Sequence, residues 1–286
     1  MFFSSYQNKN DDPIHVLTEG QGGTWKSRVI NAIKEFLKRT NELHKLKILA
    51  PTGTAAFQIG GNTIHKALGM GFGGVGSKRK RNSANVTTSY NIHSFWDEIK
   101  FIIIDEISMV SCDLLDKLDE LLRQKYQKNI PFAGKSIFYF GDFYQHPPVA
   151  SRPIFDSNLW NKITHAVRLS IQVRAINDQQ YVSFLSSLRM KNVTSSQEEY
   201  LNSRMISNYL GSTEEWYEAP LITTTNEKAS KANSLRTAMY ACKTKQTKII
   251  ICAEDTIDKK RIQSKEVLRI IQENYSFIKK NGTTFF

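Results

Sequence analysis

The stretch Gly20-Gln21-Gly22-Gly23-Thr24-Trp25-Lys26-Ser27 decides the fold of this chain. A short apolar run from His15 to Leu17 precedes it. An amphipathic segment follows it, with apolar residues at helical spacing: Val29, Ile30, Ile33, Phe36 and Leu37. This order predicts a strand, a loop and a helix. A glycine-rich loop in that position lets backbone N–H groups surround phosphates at the positive end of the helix.

The octet has the spacing of a Walker A loop, G-x-x-x-x-G-K-[ST], with one departure. Lys26 and Ser27 stand where a lysine and a hydroxyl reach the terminal phosphates and their Mg²⁺. An ordinary glycine-rich turn is the alternative, so other parts of the chain must corroborate a nucleotide site. The predicted nucleotide-binding residues of the loop are Gly20, Gly22, Gly23, Thr24, Lys26 and Ser27.

The departure is Trp25, which stands where the motif has its last glycine. A side chain there risks a strained backbone and a collision with the nucleotide, so we expect weakened ATP binding. The alternative is an indole that points outward over the following helix and leaves the phosphate cradle intact.

Length and composition describe a globular chain with a polyanionic partner. The 286 residues allow one large domain or two ordinary ones, and 40% hydrophobic content supplies a core. No apolar run reaches the ~20 residues of a membrane helix, and the start has neither a secretory nor a transit pattern. Three cysteines without C-x-x-C spacing indicate neither disulfides nor zinc and fit a reducing compartment. The net charge of +12 suggests nucleic acid.

Three further apolar runs end in polar or turn residues, which indicates a mostly parallel sheet of an α/β fold. Leu46 to Ala50 leads into Pro51-Thr52-Gly53, Phe101 to Ile104 into Asp105-Glu106, and Ser136 to Phe140 into Gly141 to Pro148. The carboxyl ends of parallel strands share one edge of a sheet, and ligands bind beyond that edge. We therefore expect Asp105 and Gln145 to face the site of the glycine-rich loop.

The pair Asp105-Glu106 has two interpretations. Beside a Walker A loop, the aspartate would hold Mg²⁺ and the glutamate would orient or deprotonate an attacking water. Alternatively, the pair caps the following helix, although Ser111 or Asp113 could serve as that cap instead. That helix is predicted from five leucines at helical spacing: Leu114, Leu115, Leu118, Leu121 and Leu122.

Two basic or polar features stay open from the residues alone. His65 in GGNTIHKAL is either a structural hydrogen-bonding group or a functional one. Residues 69–94 predict an exposed loop that carries Lys78-Arg79-Lys80-Arg81. This run is a nuclear-localisation patch, a phosphate-contacting loop that binds DNA, or a solvated insertion.

Four motifs in this order and spacing together resemble the Pif-type family of DNA helicases, which includes the helicases of Helitron-like transposons. They are GQGGTWKS (20–27), APTGTAAFQIGGNTIHKAL (50–68), IIIDEISMV (102–110) and FGDFYQHPPV (140–149). The stretch 112–134 is also similar to that family, with Ala133 where a second glycine is usual, and the likeness runs from about residue 15 to 257. The resemblance implies two RecA-like domains, the first over 1–170, then linking helices and an incomplete second domain over 171–286.

What the resemblance implies for function is ATP hydrolysis coupled to 5′-to-3′ movement on single-stranded DNA, with ATP and Mg²⁺ as cofactors. Lys26 would bind phosphate, and Ser27 and Asp105 would hold Mg²⁺. Glu106 would be the water-activating base. It also implies a nuclear or mitochondrial protein of DNA repair, recombination and telomere maintenance, with no membrane partner.

Five more residues receive roles from the same resemblance. Gln145 would sense the terminal phosphate, and Arg174 would reach it from the second domain. Near the DNA path the matched residues are Thr52, Gly53 and His65. His146 stands where the family usually has leucine.

The chain stops at Phe286 before any stretch that resembles the later motifs of the second motor domain. No adenine-reading glutamine helix is recognisable ahead of Gly20 either. We expect half of a second RecA-like domain, with β-strands at Leu221 to Thr224 and Lys248 to Cys252 and a helix from Glu227 to Tyr240 between them. We also expect that this chain alone does not unwind duplex DNA. The alternatives are a catalytically silent nucleic-acid-binding remnant and, with least support, a small-molecule kinase.

Overall fold

The computed structural model describes residues 12–70, 94–149, 151–208, 216 and 219–247, and the backbone of strand residues 256–257 and 260–261. The chain divides into two compact units, Met1–Met190 and Lys191–Phe286. The predicted domain ranges, 1–170 and 171–286, stay a prediction.

The first unit contains a six-stranded parallel sheet in the order β3-β2-β4-β5-β1-β6. Its strands are β1 (His15–Gly20), β2 (Leu46–Ala50), β3 (Asn62–Thr63), β4 (Phe101–Ile104), β5 (Ser136–Gly141) and β6 (His165–Leu169). The predicted strands in this unit are confirmed, with β1 and β5 extended by a few residues. All six carboxyl ends lie at one edge, which is where the predicted phosphate site belongs.

Helices cover both faces of this sheet. They are α1 (Lys26–Arg39), α2 (Gly53–Gln58), α3 (Ile64–Ala67) and α4 (Cys112–Tyr126). A fifth helix, α5 (Gln179–Arg189), follows β6. Ile30, Ile33 and Leu37 of α1 pack on one face with Ile103, whereas Ile102 and Ile104 pack on the other face with the leucines of α4. Neighbouring side chains of β4 thus enter opposite cores, which explains why the strand is apolar throughout.

Helix α4 begins at the cap that the sequence offered as an alternative. The Ser111 hydroxyl accepts a hydrogen bond from the backbone N–H of Leu114 at 3.2 Å. Asp105 and Glu106 therefore do not cap this helix. After α4, three successive residues, Phe132, Ala133 and Gly134, have left-handed backbones with φ of 49°, 52° and 76°.

The described part of the second unit contains two helices, α6 (Ser195–Ser203) and α7 (Asn226–Thr244), and a short antiparallel pair, β7 (Thr256–Ile257) and β8 (Lys260–Arg261). The predicted helix at 227–240 is confirmed as α7. The predicted strand at Leu221 to Thr224 is wrong, because these residues run irregularly to the cap of α7 and Ile222 is 96% exposed. Residues 248–252 lie outside the described residues.

No helix in the described ranges has both the length and the apolar character that crossing a membrane requires.

Candidate nucleotide site

The glycine-rich loop connects β1 to α1 as predicted. A Cβ on Gly20 would lie 2.3 Å from the Thr24 hydroxyl, and one on Gly23 would lie 2.1 Å from Oε1 of Gln172. Gly23 also has φ of +89°. The loop therefore requires glycine at both positions, for space at the first and for space and backbone conformation at the second. Buried Thr24 donates to the carbonyl of Gln21 at 2.8 Å and closes the loop.

Lys26 lies over the loop that it follows. Its Nζ donates to the carbonyls of Gly20 at 2.7 Å and Gln21 at 3.1 Å. Ser27 is exposed in the first turn of α1. The ammonium group is thus placed at the mouth of the loop, where a phosphate-binding lysine belongs.

Trp25 shows both features that the sequence offered as alternatives, a strained backbone and an indole that points outward. Its backbone is left-handed, with φ of 67° and ψ of 25°, which is a strained conformation for a bulky residue. Its indole is 53% exposed and lies beneath the Arg28 guanidinium, 4.9 Å from carbon to ring centroid. The ring therefore points outward along the first turn of α1, while the backbone carries the strain.

Asp105 lies at the end of β4 and is 94% buried, since only 6% of its surface is exposed. Burial raises its pKa from 3.8 to about 6, against the opposing effects of the Glu106 backbone N–H and the Lys26 charge. The Glu106 N–H donates to Oδ1 at 2.9 Å, and Glu106 itself has a left-handed backbone. A desolvated carboxylate near a lysine beside a phosphate loop is typical of a functional site.

The residue types fit Mg²⁺. This ion prefers oxygen ligands and usually takes one or two from the protein and the rest from phosphates and water. The Ser27 hydroxyl and the Asp105 carboxylate are such ligands. In the described ranges no three His, Cys, Asp or Glu side chains are grouped as a metal cluster.

Gln145 follows β5 and approaches the loop. Its Nε2 lies 3.4 Å from the position of a Cβ on Gly22, and it donates to Oδ2 of Asp142 at 3.2 Å. The structure therefore brings Gln145 beside the glycine-rich loop, as the sequence predicted.

The segment after β6 also lies on the loop. Nε2 of Gln172 donates to the carbonyl of Gly22 at 2.6 Å, and the backbone N–H groups of Val173 and Arg174 both point to the carbonyl of Gly23, at 3.0 and 3.4 Å. Arg174 is exposed and held at the loop through its backbone. The contact of Gln172 is one that the sequence reasoning missed, and no motif signalled it.

The residues predicted near DNA occupy α2 and α3. The Thr52 hydroxyl caps α2 by accepting from the N–H of Ala55 at 3.2 Å. Gly53 is exposed, with no atom within 4 Å of a Cβ placed on it, and His65 is exposed on α3. Two of these positions are open to a ligand, and Thr52 has a structural task as well. Lys78, Arg79, Lys80 and Arg81 lie outside the described residues.

Comparison with known proteins identifies the family to which this chain belongs. The family model described as PIF1-like helicase matches residues 4–198. The chain belongs to the PIF1-like helicase family.

Individual relatives agree with that assignment. The ATP-dependent DNA helicase RRM3 of Saccharomyces cerevisiae is 32% identical over 188 residues, which are 63% of this chain and 26% of the relative. The crystal structure of the Pif1 helicase from Candida albicans superposes with a TM-score of 0.63 at 26% identity, over 91% of this chain and 57% of that one. The Bacteroides Pif1 helicase in complex with ADP-AlF3 and single-stranded DNA gives 0.62 at 25%, over 90% and 59%. The α/β fold with its parallel sheet matches part of these RecA-like structures.

Proposed function

We propose that this chain is the nucleotide-binding part of an ATP-dependent DNA helicase that moves 5′-to-3′ on single-stranded DNA. The observation that carries the proposal is the convergence at the glycine-rich loop. Gln145 approaches Gly22 from β5, and the Gln172–Arg174 segment bonds to Gly22 and Gly23 from the end of β6. Groups from separate strands that meet at one phosphate loop are what phosphoryl transfer requires.

Each residue has a defined task in this proposal. Lys26 and the loop amides hold the phosphates, and Ser27 with Asp105 would hold Mg²⁺, which supplies charge neutralisation of the phosphate oxygens. Glu106 takes the proton of the attacking water. Gln145 and Arg174 donate to the terminal phosphate and stabilise the charge of the transition state.

Single-stranded DNA is the proposed second substrate. A solved relative, the Bacteroides Pif1 helicase, is bound to single-stranded DNA, and the net charge of +12 favours a polyanion. Thr52, Gly53 and His65 are the proposed contacts. Nucleus or mitochondrion is the proposed location, and repair, recombination and telomere maintenance are the proposed settings.

The second candidate is a nucleic-acid-binding remnant without ATPase activity. Trp25 motivates this candidate, because a bulky residue with a left-handed backbone fills the position of the motif's last glycine. This candidate keeps DNA binding and loses nucleotide turnover.

Turnover of Mg²⁺-ATP by the 286-residue chain, with and without single-stranded DNA, tests the proposal. We expect single-stranded DNA to stimulate ATP turnover, and we expect both Lys26→Ala and Glu106→Gln to abolish it. Of these two variants, only Lys26→Ala should also abolish nucleotide binding. Native turnover equal to that of Lys26→Ala would refute the ATPase. Retained DNA binding would then leave the remnant as the function.

A further inference from the structure

Arg189 is a nearly buried arginine for which neither the sequence motifs nor the proposed mechanism has a use. It lies in the last turn of α5, with only 13% of its side chain exposed. Its NH1 lies 2.6 Å from Oδ1 and 2.7 Å from Oδ2 of Asp142, a carboxylate that is itself 2% exposed. Two charges removed from water in this way are retained only in a well-formed pair.

Asp142 in turn organises the loop that carries Gln145. Its Oδ1 accepts from the backbone N–H of Tyr144 at 3.1 Å, and its Oδ2 accepts from Nε2 of Gln145 at 3.2 Å. Arg189 and Gln145 therefore share one carboxylate. The amide of Gln145 is held at the position from which it faces Gly22.

The same guanidinium contacts two more groups at this edge of the sheet. Its NH2 lies 3.5 Å from Oε1 of Glu19, the residue directly before Gly20, and its central carbon lies 4.0 Å above the centre of the Tyr144 ring. Glu19 is paired in register with Gly141, the residue directly before Asp142. Arg189 thus joins the two strand ends that carry the phosphate loop and the Gln145 loop.

We propose that Arg189 is a positioning residue for ATP hydrolysis, which acts through Asp142 to hold Gln145 against the phosphate loop. The proposal rests on the proposed function, since it gives Gln145 the task assigned there. Arginine suits this task because its planar fork can contact the carboxylate, Glu19 and the tyrosine ring at once. Lysine keeps the charge but presents a single point, so it cannot maintain all three contacts.

The test compares Arg189→Lys, Gln145→Ala and the double variant in the 286-residue chain, by kcat and KM for Mg²⁺-ATP. We expect Arg189→Lys to lower kcat by about 10- to 100-fold, which is the usual effect of a catalytic group displaced by about 1 Å, with KM nearly unchanged. The double variant should be no slower than Gln145→Ala, because both substitutions remove the same contribution. Arg168→Ala is the matched control, since this exposed arginine also lies beside Glu19, at 3.8 Å, and should leave kcat unchanged.

A second readout does not need turnover. Amide hydrogen exchange at Tyr144 should be faster in Arg189→Lys than in the native chain and unchanged in Arg168→Ala, since the Tyr144 N–H is bonded to Asp142. Thermal unfolding identifies any variant that fails to fold.

The outcomes separate the two proposals. Additive losses in the double variant, or native kcat and native exchange in Arg189→Lys, would overturn the positioning task. Absence of turnover in the native chain would refute the proposed ATPase. Amide hydrogen exchange at Tyr144 would then test the contact by itself. Faster exchange in Arg189→Lys would support the hold of Arg189 on the Gln145 loop, and unchanged exchange would overturn it.

Discussion

At the scale of single residues, the Asp105 carboxylate should lower the stability of the fold while it serves the proposed metal site. Burial raises its pKa from 3.8 to about 6, so the folded state favours the protonated form. The stabilising contribution is complete below pH 3.8 and is lost as the pH rises through about 6. We expect Asp105→Asn to raise the free energy of unfolding by about 2–3 kcal/mol near pH 7.5 and by little near pH 4. Chemical denaturation at the two pH values measures this.

The matched control is Asp156→Asn, at an exposed aspartate, which should show no such pH dependence. A stability gain for Asp105→Asn that is equal at both pH values would contradict the role of burial. The same substitution should abolish Mg²⁺-dependent ATP turnover, because the amide replaces the charged metal ligand.

Trp25 yields a prediction that differs from the one made by sequence alone. The backbone at this position is already left-handed in the folded chain, so its cost falls on folding rather than on nucleotide binding. We expect Trp25→Gly to be more stable than Trp25→Ala by about 1 kcal/mol, because both lose the ring and only glycine relieves the backbone. Urea unfolding of the two variants measures the difference.

Nucleotide affinity is the second measurement on these variants. Because the indole points outward, native and Trp25→Gly chains should bind Mg²⁺-ATP within about tenfold of each other, or ~1.4 kcal/mol. A gain for glycine well above tenfold would show that the indole obstructs the site, as the sequence had suggested.

The sequence predicted the site residues that lie within recognisable motifs. It did not predict the site residues that come together only in the folded chain. Lys26, Asp105 and Gln145 were readable because each follows a strand in a recognisable pattern. Arg189 was not, because it lies 47 residues from Asp142 and nothing local distinguishes it from a solvated helix arginine. The pair exists only after α5 has docked on the edge of the sheet.

At the scale of elements, apolar runs located four strands of the first unit, β1, β2, β4 and β5, since a buried strand has a continuous apolar sequence. They did not locate β3, which has only two residues, or β6, whose residues are mostly exposed. Among the predicted strands that fall within the described residues, Leu221 to Thr224 is the one that is wrong. A strand needs a hydrogen-bonded neighbour as well as propensity, and the described residues provide none there. Periodicity located α1 and α4 for the opposite reason: a helix satisfies its own backbone.

The turn at Phe132–Gly134 depends on a buried acid of α4 and gives a prediction for this element. Asp119 accepts the Phe132 N–H at 2.5 Å and lies 2.7 Å from Nε of Arg123. Asp119→Ala should destabilise the chain by about 3 kcal/mol, since it leaves the buried Phe132 N–H and the Nε–H of Arg123 without their acceptor. Asp119→Asn keeps an acceptor oxygen and should cost about 1 kcal/mol. Denaturant midpoints compare the two variants.

Glu120→Ala is the control for that comparison, because it changes the neighbouring exposed acid of the same helix. Its effect should stay within about 0.5 kcal/mol. Equal losses for Asp119→Ala and Asp119→Asn would show that charge, and not the hydrogen bond to the turn, holds this element.

At the scale of the whole molecule, charge joins the fold to its proposed DNA substrate. The six strands place the phosphate loop, Asp105 and Gln145 at one edge, while α2 and α3 expose Gly53 and His65. These elements offer few cations of their own. The net charge of +12 and the run Lys78 to Arg81 therefore carry the electrostatic part of DNA binding in this proposal.

The electrostatic part of DNA binding can be measured through its dependence on salt concentration. We expect binding of single-stranded DNA to weaken steeply with salt, because each neutralised phosphate releases counterions and contributes about −0.7 to the slope of log K against log salt concentration. Replacing Lys78, Arg79, Lys80 and Arg81 together by alanine should reduce the slope by up to about 3 if all four contact DNA. Fluorescence anisotropy of a labelled oligonucleotide across a salt series gives both slopes.

The matched control removes the same charge from helix surfaces. It replaces Lys38, Arg39, Lys228 and Lys231, which are exposed on α1 and α7, and it should change the slope much less. Equal reductions in the two variants would show that DNA responds to overall charge alone. An unchanged slope in the first variant would assign the run to targeting or to a solvated insertion, and a native slope near zero would remove electrostatics from DNA binding altogether.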